Sequence, residues 1–433
     1  MASVRVEPAT ALRGSVRVPP DKSLTHRALL FGAISDRAVT IDHPLDSADT
    51  GATLGVIEAC GVQVDGTLKD RLVVHGVGLR GLRPPMTLDC MNAGTLMRLL
   101  IGILVGQHAD KVVIDGDGSL RSRPMNRVAE PLRKMGGAVW TAPGGTPPLV
   151  VSGGVSLLGQ AHDLEVASAQ VKSCLLLAGL YAEGETWIKE PSLSRDHTER
   201  MLRAAGVELL DGPDGVGVSG PVDSMSLPDV EVPGDFSSAA PLLAAACMVP
   251  GSEVRLESVN LNPARTGLLG VVERMGADIT IENPREVAGE PCGDLLVRGA
   301  ELTGTEMGPD EVPSMVDEVM LVALLGAVAH GETTIRGAQE LRVKESDRIA
   351  ATASGLGSLG ARITEREDGF HVAGAPKIIG GSMPSHGDHR LAMLGAIAGL
   401  VSDSGVTVEG FESVSVSYPD FARDLARLTG IAA

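Results

Sequence analysis

"NAGTLMRLLIGILVGQHADKVVI", residues 92–114, opens on small polar residues and then runs through 96–105 with Arg98 alone polar. It turns at Gly106 and closes on a β-branched run. A helix apolar all round has to be buried, and the Lys-Val-Val-Ile that follows suits a strand. Five further stretches share this plan: "KSLTHRALLFGAISDRAVTI", "SAQVKSCLLLAGLYAEGETWI", "DFSSAAPLLAAACMVPGSEVRL", "MVDEVMLVALLGAVAHGETTI" and "DHRLAMLGAIAGLVSDSGVTV". The six begin at Lys22, Asn92, Ser168, Asp235, Met315 and Asp388, in steps of 70, 76, 67, 80 and 73 residues. Spacing that regular marks an internal repeat.

A second series interleaves with the first: "GVIEACGVQV", "EPLRKMGGAVW", "RMLRAAGVELL", "GVVERMGADITI", "ATASGLGSLGARIT" and "ARDLARLTG". Each reads as an amphipathic helix stopped by a glycine (61, 136, 206, 276, 360 and 430), at the position where a left-handed cap is expected. Each repeat of ~70 residues therefore holds two helices and several strands, well beyond the usual 20–50-residue solenoid unit. Six repeats divide into three and three. Turn chemistry at "VPPDKS" (18–23) and "EVPGDFSS" (231–238) puts the boundaries there, and the fold class expected is α/β in two domains.

Composition narrows the function. Hydrophobic residues make up 43% and charged ones 21%, as in globular proteins. A net charge of −18 disfavours nucleic acid and anionic membranes as partners, and 2% aromatics leave little for base stacking. Cys60, Cys90, Cys174, Cys247 and Cys292 are scattered without metal or disulfide spacing, so no metal is expected. The start, "MASVRVEPAT", lacks the apolar core of a leader peptide, and the longest apolar runs, such as 239–249, are too short to span a bilayer. A cytoplasmic chain is expected.

The polar residues gather at helix starts, where free N–H groups and the helix dipole favour anions. Asp21, Asn92, Ser168, Asp235 and Asp388 would be ordinary N-caps, and Ser314 with Asp317 resembles a capping box. Capping does not explain why Lys22, Arg27, Arg98, Arg123, Arg195, Lys344, Arg348 and Arg390 all lie near helix starts in so acidic a chain. Domains whose helix N-termini converge on a cleft for a polyanionic ligand would explain it. In "RVKESDR" (342–348), read as the start of a helix, Lys344 and Arg348 share a face at i,i+4 and would hold anions, with Glu345 beside them.

"DKSLTHRALL", "NAGTLMR", "SLRSRP", "SAQVKS", "SRDHTERML", "PGDFSSAA", "SMVDE", "RVKESDR" and "GDHRLAM" occur in one order between residues 21 and 393, within a likeness that runs over residues 14–428. In this the chain resembles the 5-enolpyruvylshikimate-3-phosphate synthases, which transfer the carboxyvinyl group of phosphoenolpyruvate to shikimate 3-phosphate and release phosphate. The resemblance implies two inside-out α/β domains, each of three βαβαββ units. One would be 1–20 with 235–433 and the other 21–234, with the active site in the interdomain cleft. It implies that Lys22, Ser23, Arg27, Ser168, Ala169, Gln170 and Arg195 meet shikimate 3-phosphate, together with Asp317. Lys22, Gly94, Arg123, Gln170, Arg348, His389 and Arg390 would meet phosphoenolpyruvate, and Lys344 is placed with both ligands. Asp317 would accept the attacking hydroxyl's proton, Glu345 would deliver one, and Lys22 completes the catalytic set. No cofactor is implied, the expected partners are the two substrates, and the chain is expected to act as a monomer. It further implies that glyphosate occupies the phosphoenolpyruvate pocket.

Four departures from the common family pattern bear on affinity. Pro20-Asp21-Lys22-Ser23 replaces Gly-Ser-Lys-Ser, Ala169 replaces a serine, Met91 a glycine and Val416 a lysine. The related transferase acting on UDP-N-acetylglucosamine is the nearest rival. Its loop cysteine is missing from "DGDGSLRSRP" (115–124), and that family lacks the Lys-Glu-Ser stretch found here.

Overall fold

Both helix series are present in the computed structural model, which describes residues 3–213 and 215–430. In chain order they are α1 (Lys22–Ala33), α2 (Ala48–Ala59), α3 (Gly94–Leu104), α4 (Asn126–Lys134), α5 (Ala169–Gly179) and α6 (His197–Ala204). Then come α7 (Phe236–Met248), α8 (Gly267–Arg274), α9 (Val319–Val328), α10 (Arg348–Ser358), α11 (His389–Leu400) and α12 (Phe421–Thr429). The odd-numbered helices are the apolar series and are buried nearly throughout; every residue of α7 is buried. The even-numbered helices bury one face, and the glycines that end them lie at φ between 68° and 93°, where a Cβ would be strained.

Strands surround the apolar helices in six small mixed sheets. The second is representative: Thr87–Asp89 pairs parallel with Lys111–Asp115, which pairs antiparallel with Thr146–Ser152, itself antiparallel to Ala138–Ala142. With α3 and α4 between its strands, this unit runs βαβαββ. Five sheets keep this four-stranded order, and the sixth has three strands. There the central Val406–Glu409 pairs parallel with Gly381–Pro384 and antiparallel with Ser3–Val6 from the start of the chain. The segment Val230–Glu231 likewise supplies the parallel edge of the first sheet, beside Ala38–Asp42.

The chain forms two compact units: Met1–Pro19, Gly234–Arg285 and Pro291–Ala433 in one, Pro20–Pro233 and Glu286–Glu290 in the other. The five-residue piece is the tip of the hairpin between Asp278–Val287 and Glu290–Arg298, and nothing in the sequence pattern pointed to it. Each unit has its own apolar core. That of the first is built on α7, α9 and α11, and that of the second on α1, α3 and α5. Among the described residues no helix is long and apolar enough to cross a membrane.

Candidate active site

Four of the five expected caps form as read: the Asp21, Ser168, Asp235 and Asp388 side chains accept from the N–H groups of Leu24, Val171, Ser237 and Arg390. Asn92 does not cap α3, whose N-cap is Ala93 without a side-chain bond. The Asn92 amide instead donates to Asp117 at 2.8 Å and accepts from Arg123 Nη2 at 2.5 Å.

The cations near these starts are held mostly by neutral oxygens. Arg27 is buried on α1; its Nε donates to Thr198 Oγ1 at 2.8 Å, its Nη2 to Ser173 Oγ at 3.0 Å, and its Nη1 to the Ser23 carbonyl at 3.1 Å. Burial lowers the Arg27 pKa to about 10, offset chiefly by the charge of Glu199, so the group remains cationic at neutral pH. On α3, Arg98 donates to Gln170 Oε1, and Gln170 Nε2 donates to Thr95 Oγ1 at 2.9 Å. Burial and the like charges of Arg127 and Arg123 lower the Arg98 pKa to about 10 as well. Its Nε is buried with no hydrogen-bond partner among the described residues. A Cβ on Gly94 would lie 2.7 Å from Arg123 Nη1 and 3.4 Å from Arg98 Nη1, so the glycine is what lets these guanidinium groups approach the start of α3. Lys22 Nζ, half-exposed, pairs with Asp49 at 3.0 Å. Lys22, Ser23, Arg27, Gly94, Arg123, Ser168, Ala169 and Gln170 are therefore gathered at the N-terminal ends of α1, α3 and α5. Arg195 stands close enough for its charge to act on Arg27.

In the other unit the cations meet carboxylates. Arg348, 1% exposed at the start of α10, bonds through Nε to Asp388 Oδ2 (2.8 Å), through Nη1 to Asp317 Oδ1 (3.2 Å) and through Nη2 to Glu345 Oε2 (2.6 Å). Arg390 lies 3.4 Å from Asp317 and 3.8 Å from Glu318, so Asp317 sits between two guanidinium groups. Burial alone would lower the Arg348 pKa and raise that of Asp388, but their mutual bond reverses both: Arg348 is held above its ordinary value and Asp388 below. Burial, reinforced by the Asp317 charge, pushes Glu318 upward. His389, the first residue of α11, is lowered to about 4 by burial and by Arg390, and is neutral at pH 7. Arg265 joins this group through Asp235 (2.7 Å) and Ser237 (2.9 Å).

Two expectations fail here. Lys344 and Arg348 do not share a helix face: 339–343 is a 3-10 turn, Lys344 is extended, and α10 starts only at Arg348 with Asp347 as its cap. Lys344 pairs with Glu340 and has no bond to the Arg348 cluster. Nor do Ser314 and Asp317 form a capping box. Ser314 ends a 3-10 turn and donates to the Glu311 carbonyl, while α9 begins at Val319. Asp317 is drawn into ion pairs with Arg348 and Arg390 instead. Glu318, Arg265, Ser173 and Thr198 were not singled out as site residues. The adjacent Asp-Glu pair was the one signal available for Glu318; the others are placed by contacts distant in sequence.

No group of three or more His, Cys, Asp or Glu side chains among the described residues has the arrangement to hold a metal ion. At position 416 the family lysine is replaced by a valine, 76% exposed.

The fold and these two charged clusters define an α/β protein of six small mixed sheets with cations gathered near helix starts. The chain belongs to the EPSP synthase (3-phosphoshikimate 1-carboxyvinyltransferase) family, whose sequence profile matches residues 6–425. It is 46% identical to the 3-phosphoshikimate 1-carboxyvinyltransferase of Synechococcus sp. (strain RCC307) over 99% of each chain. It is 48% identical to that of Halorhodospira halophila over 98% of this chain and 95% of the other. The structure of EPSP synthase from Acinetobacter baumannii superimposes with a TM-score of 0.94 at 41% identity, covering 98% of both chains.

Proposed function

We propose that this protein transfers the carboxyvinyl group of phosphoenolpyruvate to a hydroxyl of shikimate 3-phosphate, releasing phosphate, as a step toward chorismate and the aromatic amino acids. The full-length match to named 3-phosphoshikimate 1-carboxyvinyltransferases carries this reading. The two clusters give it a chemical division of labour. Arg27, Arg98 and Arg123 are hydrogen-bonded to neutral oxygens, so an incoming phosphate or carboxylate meets guanidinium groups whose donors are not taken by a carboxylate. Arg27, Ser23, Ser168, Ala169, Gln170 and Arg195 are assigned to shikimate 3-phosphate. Lys22, Gly94, Arg123 and Gln170 are assigned to phosphoenolpyruvate.

The carboxylate-rich cluster is assigned the proton transfers. Asp317 accepts the proton of the attacking hydroxyl as a C–O bond forms at C2 of phosphoenolpyruvate, while Glu345 protonates the methylene carbon. Glu345 then takes a proton back from that carbon, the C–O bond to phosphate breaks, and Lys22 meets the charge on the departing group. Arg348, His389 and Arg390 complete the phosphoenolpyruvate side, and Lys344 supplies a further cation to the substrate anions. Of the three carboxylates on Arg348, Glu345 has a side chain 59% exposed and is the one free to yield its place to a substrate anion. The scheme assigns no metal and no cofactor. The chain is assigned to the cytoplasm as a monomer, and its phosphoenolpyruvate site to inhibition by glyphosate.

Phosphate release should follow mixing with phosphoenolpyruvate and shikimate 3-phosphate together, and neither alone. Turnover with UDP-N-acetylglucosamine as acceptor would overturn the assignment.

A further inference from the structure

Behind the Arg27 cluster lie three buried charges that the reaction scheme does not use. Lys172 Nζ, on α5, is 2.7 Å from Glu190 Oε2 and 2.8 Å from Glu199 Oε1, and all three side chains are at most 8% exposed. Two carboxylates thus share one ammonium in a dry environment. Burying charges is costly, and an apolar replacement is often as stable, so stability alone does not account for the group. The Oε2 atom of Glu199 is moreover buried with no hydrogen-bond partner among the described residues.

The bonds these groups make point elsewhere. Glu190 Oε1 accepts from the Ser168 N–H at 3.0 Å, at the cap of α5, and its Oε2 accepts from Ser194 Oγ at 2.9 Å, next to Arg195. One carboxylate therefore ties together the α5 start, the Arg195 segment and, through Lys172, the next turn of α5. Glu199 is the carboxylate whose charge acts most strongly on Arg27, yet the hydrogen bonds of Arg27 go to Thr198, Ser173 and Ser23. It compensates the cation from a distance and leaves its hydrogen-bonding edge unblocked by a carboxylate.

We propose that Glu190, Lys172 and Glu199 are positioning residues for shikimate 3-phosphate: Glu190 holds Ser168 and the Ser194–Arg195 segment in register, and Glu199, anchored by Lys172, offsets the charge of Arg27 without occupying it. The proposal rests on the assignment of this cluster to shikimate 3-phosphate.

Glu190→Gln tests it. The variant leaves Lys172 and Glu199 as a neutral pair, so folding should survive. An amide offers one acceptor where the carboxylate offers two, and either orientation turns its NH2 toward Lys172 or toward the Ser168 N–H. Calorimetric titration with shikimate 3-phosphate should show Kd raised on the order of tenfold or more, the worth of one charge-assisted hydrogen bond. At saturating shikimate 3-phosphate, the KM for phosphoenolpyruvate should stay within about twofold, a split that a general loss of structure does not produce. Lys172→Arg keeps a cation between the two carboxylates and should retain near wild-type affinity, whereas Lys172→Met should not. Wild-type protein that binds normally, with Glu190→Gln binding as tightly, overturns the positioning role alone. So does a fall in kcat and melting temperature with Kd unchanged. Failure of the wild type to bind shikimate 3-phosphate would remove the functional assignment and this proposal with it.

Discussion

Replacing Gly94 with alanine adds one methyl group at a point where the space is already spoken for. The new Cβ would stand 2.7 Å from Arg123 Nη1. That is about 0.8 Å inside the ~3.5 Å at which such atoms begin to attract. The atom it meets is the tip of a flexible side chain, so the guanidinium moves and the helix stays. That guanidinium is held by the 2.5 Å bond from Nη2 to Asn92 Oδ1, and displacing it weakens that bond or turns the fork away from its ligand. A hydrogen bond involving a charged group contributes about 1.5–3 kcal/mol, and 1.4 kcal/mol is about a tenfold change in binding. The KM for phosphoenolpyruvate should therefore rise by about tenfold or somewhat more. The Kd for shikimate 3-phosphate should stay within about twofold, because Arg27 and Ser168 are untouched. Glyphosate, which the family resemblance places nearer this position, should inhibit the wild type and lose more affinity than the substrate does. Steady-state kinetics with and without the inhibitor, alongside a melting curve, read all three quantities. An unchanged KM, or equal factors for substrate and inhibitor, would refute the reasoning and leave Gly94 as a residue of helix packing.

Asp317→Asn and Glu345→Gln should each lower kcat by about two orders of magnitude or more, the range of acid–base groups. Calorimetry should show that Glu345→Gln still binds shikimate 3-phosphate; abolished binding with turnover near wild type would make Glu345 a structural partner of Arg348. Stability should fall as pH drops below 6.5, the ordinary histidine value, because burial lowers His26 to about 3 and His389 to about 4. The unfolded chain takes up those protons first, so the loss develops between 6.5 and these folded-state values. Urea midpoints that do not change between about pH 7 and pH 5 would contradict that sign.

The repeat was legible because its signals are local. An all-apolar run of ten or so residues is too long for most strands and suits a buried helix, and a glycine after an amphipathic run supplies the left-handed residue that ends it. The N-caps at Asp21, Ser168, Asp235 and Asp388 were equally local. Errors arose where local pattern competed with distant partners. The charges of 342–348 looked like a helix start, but Arg342 bonds to the 365–367 region and Lys344 to Glu340, and the helix waits for Asp347. The Ser173–Thr198–Arg27 contact joins residues up to 171 positions apart, which no spacing rule reveals. Met91 shows the reverse case. It stands at φ 51°, a conformation that favours glycine, and glycine is what the family pattern has there.

The pairing of Ser3–Val6 with Val406–Glu409 also sets a timetable for synthesis. A ribosome adding about 5–20 residues per second needs on the order of 20–80 s to reach that partner after the first strand has emerged. The unit of 20–233 with 286–290 has all its residues once position 290 is out, and can close its core while the rest is being made. The opening strand must wait through all of this with its hydrogen-bonding edges unpaired. Its sequence, Ser-Val-Arg-Val, alternates apolar with polar or charged residues and is four residues long. A nascent segment so short and so interrupted by charge is a poor template for aggregation, which suits a strand whose partner arrives so much later.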